Sequence, residues 1–174
     1  MLKRHFIQNA PNKVWVSDFT EIKVQGVSYY LCVILDLFSR KVVSYRVHYQ
    51  KNSNLIINTF KDAFRLRNEP KELLFHSDQG AEFASHEFQN LLKTLHITQS
   101  VSQPGVPYDN AVIESFYSVI KREEIHKRDY LDFEDLKCSI SDYIEFYNNY
   151  RPHRTLGNLT PNEFENCYFE NQDN

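Results

Sequence analysis

The chain has little of what marks membrane, secreted or metal-stapled proteins. No apolar run approaches the roughly 20 residues that a membrane span needs, and the mean hydropathy of -0.55 points the same way. The opening stretch MLKRHFIQNAPNKVW carries basic residues but no apolar segment of signal-peptide length, so a cytoplasmic protein with no membrane partner is expected. The three cysteines, Cys32, Cys138 and Cys167, are odd in number, far apart and without CxxC spacing. That excludes a disulfide framework and gives no zinc pattern, leaving reduced core or surface thiols. Only four glycines and one methionine are present, which leaves little material for flexible linkers. An excess of positive charge is also missing: 20 basic against 23 acidic residues give a net charge of -3. That balance counts against a uniformly basic nucleic-acid-binding surface. It does not count against a metal-dependent nuclease, which needs acids in its site and bases only where phosphate is touched. The densest basic stretches are KREEIHKR (121–128) and YRPHR (150–154), each of which also reads as an ordinary solvated face.

What is present is core material. Of 174 residues, 41% are hydrophobic, and 11 Tyr and 13 Phe make packed layers the expectation. Along the chain, VWVSDFTEI, YYLCVILD and KVVSYRVH read as three consecutive antiparallel strands, with breaks at KVQG and FSR. NSNLIINTFKDAFRLR (52–67) has helical spacing of Leu55, Ile56, Phe60, Ala63 and Phe64, with an Asn or Ser cap. ELLFHSD is a short buried-type strand, SHEFQNLLKTLH (85–96) an amphipathic helix capped by Ser85, and ITQSVS (97–102) a further strand. After the loop QPGVPYDN comes the helix NAVIESFYSVIKREEI, capped at Asp109 or Asn110, then a helix over 133–150 and a Pro-started helical turn in the tail. The order βββαβαβα implies an α/β fold: a mixed five-stranded sheet with helices on both faces and a C-terminal helical extension. The expected division is a tail over 1–12, a core over 13–130 and an extension of the same domain over 131–174.

In such sheets, catalytic groups gather at strand ends. Asp18 lies in the first strand, Asp78 ends the fourth and Glu114 opens the helix after the Pro-Gly loop. An Asp at a strand end also serves as a turn or cap residue, so HSDQG alone decides nothing. If the first and fourth strands are neighbours, however, both aspartates sit side by side with Glu114 leaning over them. Three crowded carboxylates repel unless a hard divalent cation neutralises them. On the helix, Glu114, Ser118 and Lys121 form one polar stripe, opposite a core-seeking face of Ile113, Phe116, Tyr117 and Ile120. Lys121 then falls about 10 Å from Glu114, within reach of a phosphate beyond the acids.

VWVSDFTEI, LDLFSRKVV, HSDQGAEF, QPGVPYDNAVIESFYSVIKREEI and YNNYRPHRTLGNLTPNEF follow one another in order, with 35 residues between Asp78 and Glu114. From about Asn12 to Glu165 the chain thereby resembles the DDE transposases with a retroviral-integrase-type core, specifically the insertion-sequence-three family. The resemblance implies an RNase H-like fold, with Asp18, Asp78 and Glu114 as the catalytic, metal-binding triad holding two Mg²⁺ or Mn²⁺ ions. It also implies Lys121, with Arg122 beside it, as basic DNA-contacting residues two turns past the catalytic glutamate. The implied activity is DNA cleavage at the element's ends followed by transfer of the freed 3′ hydroxyl. No activated Ser, Tyr or Cys arrangement suggests a covalent intermediate instead. Implied partners are DNA, as terminal inverted repeats and target, and further copies of the chain in a synaptic complex. The setting would be bacterial cytoplasm, on the nucleoid when DNA is bound. Relatives usually carry an upstream helix-turn-helix segment, and nothing before Asn12 is long enough to be one.

Other positions keep two readings. His76 is a ligand-shell or a structural group. Asn110 and Asp109 are helix caps or substrate contacts, and Asp36 caps the LFSR turn. Arg151, His153 and Arg154 either meet DNA phosphates or pack beneath the helix. Tyr108 is a candidate for stacking on a base. A structure-selective nuclease of the same fold, and an inactive transposase-derived DNA-binding or assembly module, are the alternative functions.

Overall fold

A two-residue turn sets the register of the sheet. The structure is a computed structural model that describes residues 8–102 and 111–172. Gln25 and Gly26 both take positive φ, +48° and +81°. That is the turn geometry matching the twist of paired strands, and it joins β1 (Val14–Val24) to β2 (Val27–Asp36). The two strands pair antiparallel from Trp15 opposite Asp36 to Val24 opposite Val27. The break expected at KVQG therefore moves to the hairpin tip, because Ile22 and Val24 still alternate into the core.

Asp36 ends β2 by capping the turn that follows: its carboxylate accepts the Phe38 N–H at 2.8 Å and the Asn12 N–H at 2.7 Å. β3 (Val42–His48) then returns antiparallel to β2. α1 (Ser53–Leu66) starts at Asn52, whose side chain caps the Leu55 N–H. β4 (Leu74–Ser77) pairs parallel with β1. α2 (His86–Thr94) is capped by Ser85, and β5 (Thr98–Val101) lies parallel to β4. α3 (Ala111–Ile120) continues into a π-helical turn, Lys121–Ile125. α4 (Phe133–Asn149) is capped by Asp132. Finally, α5 (Pro161–Glu170) opens with a reciprocal Thr160–Glu163 capping box and Pro161 in its first turn. The expected α3 caps, Asp109 and Asn110, lie outside the described residues.

The sheet order is β3-β2-β1-β4-β5, antiparallel through β1 and parallel beyond it, so the mixed sheet expected from the strand order is what forms. Alternation along β1 and β2 divides the interior into two apolar layers. Val14, Val16, Ile22, Leu31, Val33 and Leu35 pack against α3 and α4. Trp15, Ile34 and Phe75 pack on the other face with Phe60 of α1 and Phe88 of α2. The rings of Phe60, Phe75 and Phe88 meet edge to face, with centroids 5.3 to 5.8 Å apart. Cys32 is buried while Cys138 and Cys167 are exposed, all as free thiols. Among the described residues, no helix is long and apolar enough to cross a membrane.

Candidate active site

Strand pairing brings two of the predicted acids together. The parallel register of β1 and β4 runs Val14 to Leu74, Trp15 to Phe75 and Val16 to His76. Two residues further along each chain, Asp18 comes level with Asp78. By alternation, Asp18 shares the β1 face of Val14, Val16 and Ile22, the face covered by α3. α3 is pinned there by Tyr117, whose buried hydroxyl donates to the backbone carbonyl of Asp18 and, at 3.4 Å, to that of Leu31. Glu114 stands one turn ahead of Tyr117, exposed, in the first turn of α3.

The electrostatics follow from this placement. Burial lifts the Asp18 carboxyl from its ordinary 3.8 to about 6, and the charges of Asp78 and Glu114 push the same way. The Phe19 N–H, 2.7 Å from Asp18 Oδ1, and the Lys51 ammonium oppose that rise. Asp78 Oδ1 accepts the Gly80 N–H at 2.9 Å, so the turn role available to any strand-end Asp is filled here. Gly80 is required for close approach: a Cβ there would stand 2.9 Å from Asp78 Oδ1 and 3.2 Å from Glu82 Oε2. The two aspartates thus each fold an oxygen back onto their own backbone. Among the described residues, no three His, Cys, Asp or Glu side chains converge closely enough to hold a metal ion as they stand. The donor set is nonetheless all oxygen and anionic, the chemistry that suits a hard divalent cation.

The remaining predicted residues separate into different environments. His76 is buried between β4 and β5, with Nδ1 3.0 Å from Ser100 Oγ and Nε2 3.3 Å from Ser102 Oγ. It ties together the two strands beside Asp78. Lys121 is half-buried in a cleft of about 910 Å³ between the β1–β2 hairpin and the end of the α3 helix, lined also by Lys23, His126, Lys127 and Arg128. Arg122 is largely exposed, 3.4 Å from Glu123. Arg151 turns inward, both arms of its guanidinium 2.8 Å from Glu123, while Arg154 is exposed. The Arg151 guanidinium thereby lies against the π turn that carries Glu123. His153 is buried with its ring edge-on to Tyr147, and burial, with the nearby Arg151 charge, depresses it to about 4. Tyr108 and Asn110 lie outside the described residues.

Three features escaped sequence reasoning. Lys51 and Glu82 sit beside the aspartates, 3.4 Å from each other. The legible signals were the position of Lys51 before a helix cap and the acid four residues after Asp78. Tyr117 reads as a core residue, and nothing in the apolar pattern shows that its hydroxyl pins the strand carrying Asp18. The π turn, closed by the His126 N–H to Lys121 carbonyl bond of 2.9 Å, is hinted at only by buried residues stepping from Ile120 to Ile125.

Comparison with known proteins places this geometry. The integrase core domain family matches residues 8–107, and a second integrase core domain pattern matches 95–161. The chain is 37% identical over 166 residues to InsK of insertion sequence element IS150 from Escherichia coli K12, covering 95% of this chain and 59% of InsK. It is 32% identical over 167 residues to InsF, a transposase of insertion sequence IS3A from the same strain, covering 95% of this chain and 58% of InsF. The transposase of IS904 from Lactococcus lactis is 35% identical over 166 residues, covering 95% of this chain and 66% of its own length. The chain thus spans little more than half the length of InsK and InsF. In fold it is similar to a simian T-cell lymphotropic virus intasome chain, with TM-score 0.73 at 22% identity over 91% of this chain and 56% of that one. The HTLV-2 integrase catalytic core domain, solved in complex with magnesium, gives TM-score 0.70 at 24% identity, covering 90% of this chain and 98% of that one. With the core pattern matched over more than half its length, the chain belongs to the integrase core domain family, and its relatives by sequence are insertion-sequence transposases.

Proposed function

We propose that this chain is the catalytic domain of a bacterial transposase that cleaves DNA strands at an insertion sequence's ends and joins the freed 3′ hydroxyl to target DNA. The observation that supports the reading is that Asp18 on β1 lies where burial and the charges of two acids from other elements, Asp78 and Glu114, all raise its proton affinity. Asp18, Asp78 and Glu114 would hold two Mg²⁺ or Mn²⁺ ions, which when bound supply Lewis-acid activation of a water or hydroxyl nucleophile and stabilisation of the leaving oxygen.

The chain's own residues arrange the rest. β1 and β4 hold the two aspartates on one sheet face, and the Tyr117 hydroxyl fixes α3 against Asp18, which sets the helix that carries Glu114. His76, engaged by Ser100 and Ser102, keeps the β4 end in place behind Asp78 as a positioning residue. Lys121, Arg122 and the basic groups of the adjoining cleft would take DNA phosphates, with Arg154 adding an exposed contact. Arg151 would act at one remove, by holding the Glu123 turn. Tyr108 and Asn110 complete the proposed DNA contacts. In the whole protein we infer terminal inverted repeats and target DNA as partners, recognition of the repeats by a helix-turn-helix segment, homo-oligomeric synapsis and a cytoplasmic location. Residues 131–174 are taken as part of the core unit over 13–130, because α4 buries Leu136, Ile140 and Tyr147 in the same layer as α3.

The test is Asp78→Asn, assayed for strand cleavage and 3′-end transfer on a duplex carrying terminal repeats in Mg²⁺ or Mn²⁺. Both steps should fall by about a thousandfold or more, with the circular dichroism of the fold unchanged. Retained cleavage by the folded variant would sink the assignment.

A further inference from the structure

Beside the three acids stands a fourth. Glu82 follows Asp78 by four residues, and its Oε2 and Asp78 Oδ1 flank the same face of Gly80. Its side chain is only 16% exposed, and Oε2 is buried without a hydrogen-bond partner. The charge facing it is the Lys51 ammonium, 3.4 Å away. Lys51 is held on both sides: it immediately precedes Asn52, the cap of α1, and its ammonium lies over the Phe19 ring at 5.3 Å. That ring packs in turn on Phe83 at 5.1 Å, next to Glu82 in the chain.

We propose that Lys51 is a positioning residue of the carboxylate site, which keeps Glu82 charge-paired and out of the ligand set, so that the site offers three acids instead of four. The inference rests on the metal-dependent reading above. The pair bridges the β3–α1 loop to the segment after Asp78, so it also anchors the turn from which Asp78 is presented. A lone, mostly buried Glu82 carboxylate would be strained by desolvation. It would also raise the negative potential at the site and offer oxygens to an incoming cation. Mg²⁺ takes few carboxylates and keeps several waters, whereas Ca²⁺ accepts more oxygens in looser geometry. Removing Lys51 should therefore tighten cation binding, Ca²⁺ more than Mg²⁺, while spoiling the arrangement.

The experiment uses Lys51→Gln, Glu82→Gln, their combination and Lys51→Arg. Thermal unfolding in EDTA comes first: Lys51→Gln should lower the midpoint by several degrees, adding Glu82→Gln should recover most of it, and Lys51→Arg should match wild type. Calorimetric titration of Mn²⁺ and Ca²⁺ in the presence of a DNA duplex comes second. Lys51→Gln should bind severalfold tighter and the double variant should return to the wild-type value. If the midpoint falls and Glu82→Gln does not restore it, Lys51 acts through some other contact and the pairing is overturned. If folded Lys51→Gln binds both cations as wild type does, its role in limiting the ligand set is overturned. Wild type that binds no Mn²⁺ even with DNA would instead strike the metal-dependent reading itself, and the unfolding series in EDTA would still decide the pairing.

Discussion

Asp18 and Glu165 are both carboxylates drawn into the protein, and their surroundings are opposites. Glu165, on α5, is 3% exposed. It receives both arms of Arg67 at 2.7 and 2.9 Å, the Ser39 hydroxyl at 2.7 Å and the Lys41 ammonium at 3.3 Å. Burial alone would raise its pKa, but Arg67, Lys41 and Ser39 together outweigh that and hold it below the ordinary carboxylate range. Asp18 has one backbone N–H and the Lys51 charge, already paired with Glu82, against burial and two further acids, so its pKa moves up to about 6. Burial is common to both, so it does not decide the direction; the partners do. A carboxylate whose compensation is complete inside the chain serves the fold, here by clamping α5 to the α1 end and the β2–β3 turn. One whose compensation is left short is, under the proposed function, where an outside cation would bind.

Substitutions should separate the two regions cleanly. Asp18→Asn should abolish strand cleavage and transfer, a loss of a thousandfold or more in rate, corresponding to about 4 kcal/mol, while the protein remains folded. Glu165→Gln should do the reverse. It strands Arg67 beside Lys41 with half their compensation gone and should lower unfolding free energy by about 3 kcal/mol in denaturant titrations, leaving cleavage by the remaining folded protein near wild type. If Glu165→Gln were as harmless as a surface substitution, the contrast between clamp and site would fail.

The pH dependence of stability should carry opposite signs for the two. Between about pH 4 and 6 the native state of the metal-free protein holds a proton on Asp18 that the unfolded chain has released. Stability attributable to Asp18 therefore falls as pH rises through that window, by an amount on the order of 2 kcal/mol. Glu165 contributes stability above the ordinary carboxylate range and loses it as pH falls through it. Denaturant midpoints measured in EDTA should thus show a decline from pH 4 to 6 that Asp18→Asn removes, and saturating Mg²⁺ should flatten it in wild type only. A decline that persists in Asp18→Asn would assign the titration elsewhere.

The difference also explains what could be read from the chain. The strands, the α1 and α2 caps, the Pro start of α5 and the acids of the predicted triad are local signals: alternation, an Asn or Ser before an apolar repeat, a Pro at a helix start. Asp18 and Asp78 needed only the further step that β1 and β4 are neighbours, which the strand order supplies. The compensation of Glu165 was illegible because it is made over a long sequence distance, Arg67 reaching it across 98 positions, and so was the bond that pins α3 at the Asp18 backbone carbonyl, which Tyr117 makes across 99. The pairing of Lys51 with Glu82 is of the same kind. Nothing within a helical or strand period reports such contacts, so Arg151 could be read as a DNA contact as easily as a structural one.

Arg151 and Arg154 offer the smallest effect and test the same rule within one motif. Glu123 is held down to about 2, first by its hydrogen bonds from Arg151 and, against the pull of burial, by Tyr143, whose hydroxyl donates at 2.8 Å. Glu123 is thus a second satisfied acid, in the π turn that begins at Lys121. Arg151→Ala should lower stability by about 1 kcal/mol, the scale of a partly exposed bidentate pair, with any change in DNA affinity following from the loosened turn. Arg154→Ala, at an exposed position, should leave stability within about 0.5 kcal/mol and reduce the salt dependence of DNA binding by about one counterion. Affinity measured across a salt series for both variants distinguishes them. A change in salt slope for Arg151→Ala and none for Arg154→Ala would mean that the inward-turned arginine exchanges its acid for phosphate when DNA binds, and the line between satisfied and waiting charges would have to be redrawn through this motif.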